Sequence, residues 1–356
     1  MPLHPLFGHQ ELQDRLTTAL RAGTLPPALL LVGPRGVGKQ RLGLWLAQAI
    51  VCENGPGAPC DHCQSCRMAA SLGHPDIHWF FPIPRPKGDE SKQVEEAEET
   101  LGTMIAARRE QSAWQRGDGM SALFLPLVRS LHRRAQMRPA MSRSKVFLVA
   151  EAERLVPQAS SQEAANAMLK VLEEPPPDTW FILTTAEPAG LLPTIKSRMV
   201  QLRVGRLKPA EVLKFLTDVA KLPGPEAKRR ADMAAGSIGD ALEAGAAGSD
   251  DRAAAEALLE AAHKGSVARH RYAFNIKPAG ARGDFTTTLD AAAERLRDDL
   301  ARRLRDAGAG AADDAPATRL AAQLKEIERA RKLAQGNVNP QLIVADLLRR
   351  IAEAGA

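Results

Sequence analysis

The sequence predicts an α/β fold: a doubly wound domain on a parallel sheet over residues 1–206, carrying an inserted zinc module, with only helices after it. Three observations carry this expectation. The apolar run Ala28-Leu29-Leu30-Leu31-Val32 leads straight into the glycine loop Gly33-Pro34-Arg35-Gly36-Val37-Gly38-Lys39, and a helical pattern follows at once. Strand-like and helix-like patterns then alternate to about residue 206, as a parallel sheet with helical crossovers requires. All four cysteines, Cys52, Cys60, Cys63 and Cys66, fall in one short window between two such elements.

Taken in order, Leu12, Leu16 and Leu20 recur at helical spacing after Phe7-Gly8-His9-Gln10-Glu11, so a first helix is expected there. The run 28–32 is apolar without alternation, which suits a strand covered on both faces. A second helix from about Lys39 to Val51 buries Leu42, Leu46 and Ala49. Beyond the cysteines, Ile77-His78-Trp79-Phe80-Phe81 reads as another strand. Residues 82 to about 120 change character, with a proline-rich opening and then a highly charged, helix-capable stretch that starts at Glu95-Glu96-Ala97-Glu98-Glu99. They are expected to form a surface excursion with a mobile start and a solvated acidic face.

A helix from about Leu125 sets Val128, Leu131 and Ala135 on one side, and Arg129, Arg133, Arg134 and Arg138 give it positive charge. Residues 145–150 form a second core strand. Ser160-Ser161-Gln162-Glu163 has the pattern of a capping box, opening a helix through Ala165, Met168, Leu169 and Leu172. Pro175-Pro176-Pro177 stops that helix. Residues 180–185 form a third core strand, and Pro193 can start a short helix. From Leu207 onward no strand is expected. Residues 207–247 form a small helical unit, and 248–356 a longer helical region rich in Ala, Leu and Arg.

The glycine loop stops one residue short of a full phosphate-binding pattern. That pattern ends in Ser or Thr, whose hydroxyl ligates the magnesium of a nucleoside triphosphate. Gln40 stands there instead. A longer amide cannot place an oxygen where a hydroxyl one bond from Cβ would sit. Lys39 and the loop amides do not depend on Gln40 and retain the means to hold phosphate. Bound ATP or ADP without hydrolysis and an empty relic both remain open at this point.

Two CxxC steps share Cys63, and the loop residues 54–59 can carry Cys52 back to the others. In a reducing compartment such a cluster favours a four-thiolate zinc site at about 52–66 over disulfides. Four thiolates leave no open position on the metal, so the zinc is expected to be structural. His62 and His74 stand nearby as substitute ligands and read as surface residues.

Composition narrows the classes. Of 356 residues, 44% are hydrophobic and 25% charged, as in ordinary globular proteins. Aromatic residues make up 4%, too few for base stacking to be a main binding mode. A net charge of +6 allows work beside nucleic acid without requiring it. No segment approaches the roughly 20 apolar residues of a membrane span. The opening Met-Pro-Leu-His-Pro has no export pattern, so a cytoplasmic protein is expected.

Several pieces then converge. The glycine loop, the cysteine cluster, Asn166-Ala167-Met168-Leu169-Lys170-Val171-Leu172-Glu173-Glu174-Pro175-Pro176 and Ser197-Arg198-Met199 occur in that order. Together they resemble the bacterial DNA polymerase III clamp-loader subunits of the AAA+ class, over roughly residues 5 to 245. Within that resemblance 82–120 is an insertion, and Met199 replaces the family's Cys. The resemblance implies an AAA+ nucleotide-binding-like domain, a helical lid at 207–247 and an all-α collar at 248–356.

The departures from the family pattern carry information. ATP-hydrolysing gamma/tau members end the second core strand in Asp-Glu, where this chain has Ala150-Glu151. Their lid reads Gly-Ser-x-Arg-Asp, where this chain has Gly236-Ser237-Ile238-Gly239-Asp240. With Gln40, three contacts to magnesium or phosphate are missing. Each such group is worth about 10²–10³ in rate, so together their loss leaves essentially no turnover. The resemblance therefore points to the silent delta-prime branch.

By that resemblance Arg198 is an arginine finger acting in trans, and Thr185 sits at the phosphate-sensing position. Glu151 is a retained scaffold residue. The implied partners are gamma/tau and delta subunits in a hetero-pentamer, the sliding clamp and primed DNA. Three other readings compete: an autonomous gamma/tau-like ATPase, a zinc-containing DNA-binding module using Arg129, Arg133 and Arg134, and an intramolecular salt bridge for Arg198.

Overall fold

Strands hydrophobic on both faces must be covered on both faces, and the chain supplies helices on either side of them. The computed structural model describes residues 3–87, 89–110, 121–156, 162–243, 249–276, 281–307, 315–334 and 338–355. The chain divides into two compact units, the first ending at Ala241 and the second beginning at Leu242.

In the first unit, α1 (Gln10–Arg21) buries Leu12, Leu16 and Leu20 and leads to β1 (Ala28–Val32). Then come α2 (Lys39–Ile50), α3 (Gln64–Ala70), β2 (Ile77–Phe80), the two-residue β3 (Ile83–Pro84), α4 (Glu90–Glu110) and the two-residue β4 (Ser121–Ala122). The chain continues with α5 (Leu125–Ala135), β5 (Lys145–Val149), α6 (Glu163–Glu173), β6 (Thr179–Thr185), α7 (Pro193–Lys196) and β7 (Val200–Arg203). Helices α8 (Pro209–Asp218), α9 (Gly224–Met233) and α10 (Ile238–Glu243) follow.

Five strands form one parallel sheet in the order β2-β5-β6-β1-β7. Its centre is aromatic and aliphatic. Phe147 lies opposite Phe181, their rings stacked at 5.3 Å, and Leu30 lies opposite Leu183. Because β1 sits inside the sheet, the loop after it opens at the carboxyl edge of the strands, where open α/β sheets place their ligands.

Two expectations need correction. Strand β7 was not expected. It pairs with β1 at the sheet edge and is largely exposed, and its four residues, Val200-Gln201-Leu202-Arg203, are too short a run for their apolar–polar alternation to stand out. The expected surface excursion is also anchored where it is described. β3 pairs antiparallel with β4, and Ile83 and Ala122 are fully buried. Ala97 and Leu101 bury one stripe of α4. The Arg108 guanidinium lies 3.5 Å over the Phe81 ring and 4.7 Å over the Trp79 ring. In the acidic run Glu95 and Glu99 are exposed, but Glu98 accepts from Arg133 at 2.7 Å, Arg134 at 3.2 Å and Ser130. The helix itself is legible as a charged, helix-capable stretch; its buried stripe is not, because it is narrow beside the charges. Gly88 and residues 111–120 lie outside the described residues, as do Ser160 and Ser161 of the expected capping box; α6 starts with Gln162 as its cap.

One buried carboxylate builds the turn into β5. Asp76, 2% exposed, accepts amide bonds from Ala140 (2.5 Å), Met141 (2.8 Å) and Ser142 (2.7 Å). Burial pushes its carboxyl upward, but these amides outweigh burial and hold it below its ordinary value. A depressed carboxyl stabilises the fold above its unfolded value of about 3.9, and the contribution is lost as pH falls through the lower folded value. Asp76→Ala strands three amides and is expected to cost about 3 kcal/mol at pH 7. Urea unfolding should show the gap between variant and parent narrowing in acid.

Every regular element described in the second unit is a helix: α11 (Ser249–His263), α12 (Ser266–Asn275), α13 (Ala281–Ala307), α14 (Ala315–Ala334) and α15 (Pro340–Gly355). It has its own core, including Leu258, Phe285, Leu289, Ile327, Val344 and Leu348. Among the described residues no helix is long and apolar enough to cross a membrane.

Candidate functional site

The glycine loop bridges β1 and α2, and Gly36 and Gly38 take the positive φ values of 68° and 92° that let it turn. Its carbonyls are all engaged by the chain itself. Lys39 Nζ donates to Gly33 O at 2.8 Å and Pro34 O at 2.5 Å. Ser237 Oγ donates to Arg35 O at 3.1 Å, and the Gly239 amide donates to Gly36 O at 3.1 Å. His9 Nε2 donates to Val37 O at 2.7 Å, and the Leu42 amide to Gly38 O at 2.9 Å. The Gly33 amide is taken by Thr185 O at 3.2 Å. Burial pulls Lys39 down to about 8, against the upward pull of Glu153 and Glu151. The cation that would meet a phosphate is thus folded onto its own loop.

The contact between loop and helical segment depends on two glycines. A Cβ on Gly239 would lie 2.7 Å from Gly36 Cα, and one on Gly36 would lie 2.1 Å from Ser237 Oγ. Gly239 therefore does more than remove a cation. It lets the start of α10 rest against the loop, and an arginine there would have to push α10 away.

The remaining expected loop contacts are occupied or replaced. The side-chain oxygen of Gln40 is buried and accepts no hydrogen bond. Arg35 pairs with Glu187 at 2.8 Å. Thr185 is fully buried, and its hydroxyl accepts from the Glu187 amide at 3.1 Å. Ala150 is fully buried, and Glu151 takes a left-handed φ of 51° with its amide on Thr184 Oγ1 at 3.2 Å.

Sequence reasoning missed two contributors. Arg41, 8% exposed, donates from Nε to His4 O at 2.7 Å and so holds the N-terminal segment across α2. Phe7 of that segment packs edge-on against Phe215 of α8 at 5.4 Å. The other is His9 at Val37 O. Both residues look like surface polars in sequence, and nothing in their spacing marks them.

The cysteines come together as expected. Their four Sγ atoms lie within 4.8 Å of one another, with Cys60 and Cys66 at 3.8 Å. Tetrahedral Zn–S bonds of about 2.3 Å give sulfur–sulfur edges of about 3.8 Å, so the set suits a zinc ion. Amides point at the sulfurs as they do at thiolates: Cys63 N to Cys60 Sγ at 3.4 Å, and Cys66 N to Cys63 Sγ at 3.3 Å. Burial pushes the Cys60 thiol up, but amides from Cys63 and His62 outweigh it and bring it to about 6. Burial raises Cys66. Gln48 of α2 ties the module down through Asp61 at 3.0 Å and Cys66 O at 3.2 Å.

Neither histidine joins the set. His62 is exposed as expected, and both its ring nitrogens are engaged, by Cys60 O at 2.6 Å and Asn54 at 3.2 Å. His74 is not the surface residue expected. It is 4% exposed, and its Nδ1 accepts from the Asp76 amide at 3.1 Å.

Arg198 follows α7, and its fork is occupied. Nη2 lies 2.5 Å from Glu173 Oε1 at the end of α6, and Nη1 donates to Thr194 O at 2.8 Å. Of the basic residues suggested for DNA, Arg133 and Arg134 share the single carboxylate of Glu98, which offsets one of their two charges.

Comparisons with known proteins agree on one family. A family model described as "DNA polymerase III, delta subunit" matches residues 8–208. The chain is 31% identical over 220 residues to DNA polymerase III subunit gamma/tau of Mycobacterium tuberculosis, covering 62% of this chain and 31% of that protein. It is 28% identical over 206 residues to subunit delta' of Bacillus subtilis, covering 57% of this chain and 50% of that protein. With subunit delta' of Haemophilus influenzae the identity is 34% over 171 residues, covering 48% and 40%. The chain thus spans a third to a half of the length of these relatives.

Proposed function

Because this chain belongs to the DNA polymerase III delta-subunit family of replication clamp-loader proteins, we propose that it acts as a delta'-type subunit. In this reading it hydrolyses no ATP and completes the ATPase site of a neighbour. The observation that carries the proposal is the closed loop. Lys39 is spent on Gly33 O and Pro34 O, while Ser237 and Gly239 hold the loop from the other side. A triphosphate would have to draw Lys39 off these carbonyls and would still find no hydroxyl at Gln40, no carboxylate at Ala150 and no cation at Gly239.

The gamma/tau reading has a relative of comparable identity in its favour. These substitutions and the closed loop weigh against it.

The function then lies with neighbours. Arg198 would reach a γ-phosphate in an adjoining subunit, where its fork stabilises the charge that builds as the bond breaks. The partners would be gamma/tau and delta subunits in a hetero-pentamer that seats the sliding clamp on primed DNA in the cytoplasm. Residues 207–247 would be the lid and 248–356 the collar. When bound, zinc would supply a fixed tetrahedral crosslink, with Cys52, Cys60, Cys63 and Cys66 as its thiolate ligands.

Clamp-loading reconstitution tests this reading. Gamma/tau and delta subunits alone should load little clamp on primed DNA, and adding this chain should restore loading. Equal loading without it would refute the assignment.

A further inference from the structure

We propose that Glu173 is a resting counter-charge that restrains Arg198 until a neighbouring phosphate takes its place. The proposal rests on the arginine-finger reading and adds a second residue to it. The two groups meet at 2.5 Å, and Arg198 also donates to Thr194 O at 2.8 Å. Both ends of the guanidinium fork are therefore occupied within the chain.

The pair is placed for exchange rather than for support. The side chains are 33% and 48% exposed for Arg198 and Glu173, so water reaches both. The adjoining segments do not need the pair to stay together. Ile195 of α7 is fully buried, and Val171 and Leu172 of α6 are 2% and 4% exposed. A carboxylate at 2.5 Å cancels most of the field that an approaching phosphate would feel. Once the phosphate arrives, the freed carboxylate returns to water at small cost, because exposed ion pairs are weak. An always-charged arginine is thereby kept from unproductive contacts while remaining available.

Removing the charge of Glu173 while keeping its shape should release the finger. In the complex reconstituted with gamma/tau and delta subunits, without clamp or DNA, Glu173→Gln should raise the ATP turnover number about two- to fivefold, the range expected from an exposed pair. The KM for ATP should not change, and Glu173→Asp should return the rate toward the parent value. Thermal unfolding of the isolated chain should be unaltered, which separates restraint from structural support. Arg198→Ala in the same assay keeps the two claims distinct. If Arg198→Ala is impaired and Glu173→Gln turns over at the parent rate or slower, the restraint is refuted while the finger stands. If Arg198→Ala behaves like the parent, the finger reading falls and the restraint with it.

Discussion

Arg198→Ala is expected to slow hydrolysis at the neighbouring ATP site by about 10³–10⁵-fold, the usual worth of an arginine finger. The expectation follows from the transition state. Negative charge spreads over the γ-phosphate oxygens as the bond loosens, and a guanidinium meets two of them at once. In the free chain those donors face Glu173 and Thr194 O. The arginine is thus held at the surface just after α7 and is not lost in the core. Single-turnover hydrolysis in the assembled complex measures the effect directly. Arg198→Lys should recover only part of the rate, because an ammonium keeps the charge and loses the fork. A parent-like rate for Arg198→Ala would leave the guanidinium as an intramolecular tie and nothing more.

Loss of the proposed zinc ligands should be the largest structural effect. Cys66 is fully buried, and its sulfur lies 3.8 Å from that of Cys60. The segment around it buries little else, Ser65 and Ala69 among the few residues that do. Structural zinc contributes about 10–16 kcal/mol of apparent binding free energy in small domains, so its loss should unfold this segment. Cys66→Ser, or strong chelation, should destabilise the first unit by about 3 kcal/mol or more and lower its Tm by several degrees. One zinc per chain should be found by elemental analysis of the parent and none in the variant. An unchanged Tm together with a metal-free parent would show that the four thiols are merely neighbours.

Much of this was legible in the sequence because the physics was local. β1, the glycine loop and α2 follow one another within a few residues, and both faces of the strand are covered, so its apolar run needs no alternation. The cysteine cluster was equally plain, since two shared CxxC steps force the sulfurs together. What escaped depends on contacts far apart in the chain. Ser237 and Gly239 meet the loop across some two hundred residues, so their sequence showed a missing cation but not the close approach that replaces it. His9 and Arg41 act through backbone carbonyls, which carry no residue code. β7 is an exposed edge strand, and α4 hides its buried stripe among charges. The salt-bridge alternative for Arg198 was visible in principle, but Glu173 as its partner needed the geometry.

The central claim is that this chain keeps the shape of a nucleotide-driven unit with its phosphate site closed on itself. Equilibrium binding of labelled ATP with magnesium to the purified chain tests it most directly. The account predicts no saturable binding at concentrations that fill active relatives, and no phosphate release. Stoichiometric binding with turnover that Lys39→Ala abolishes would contradict it.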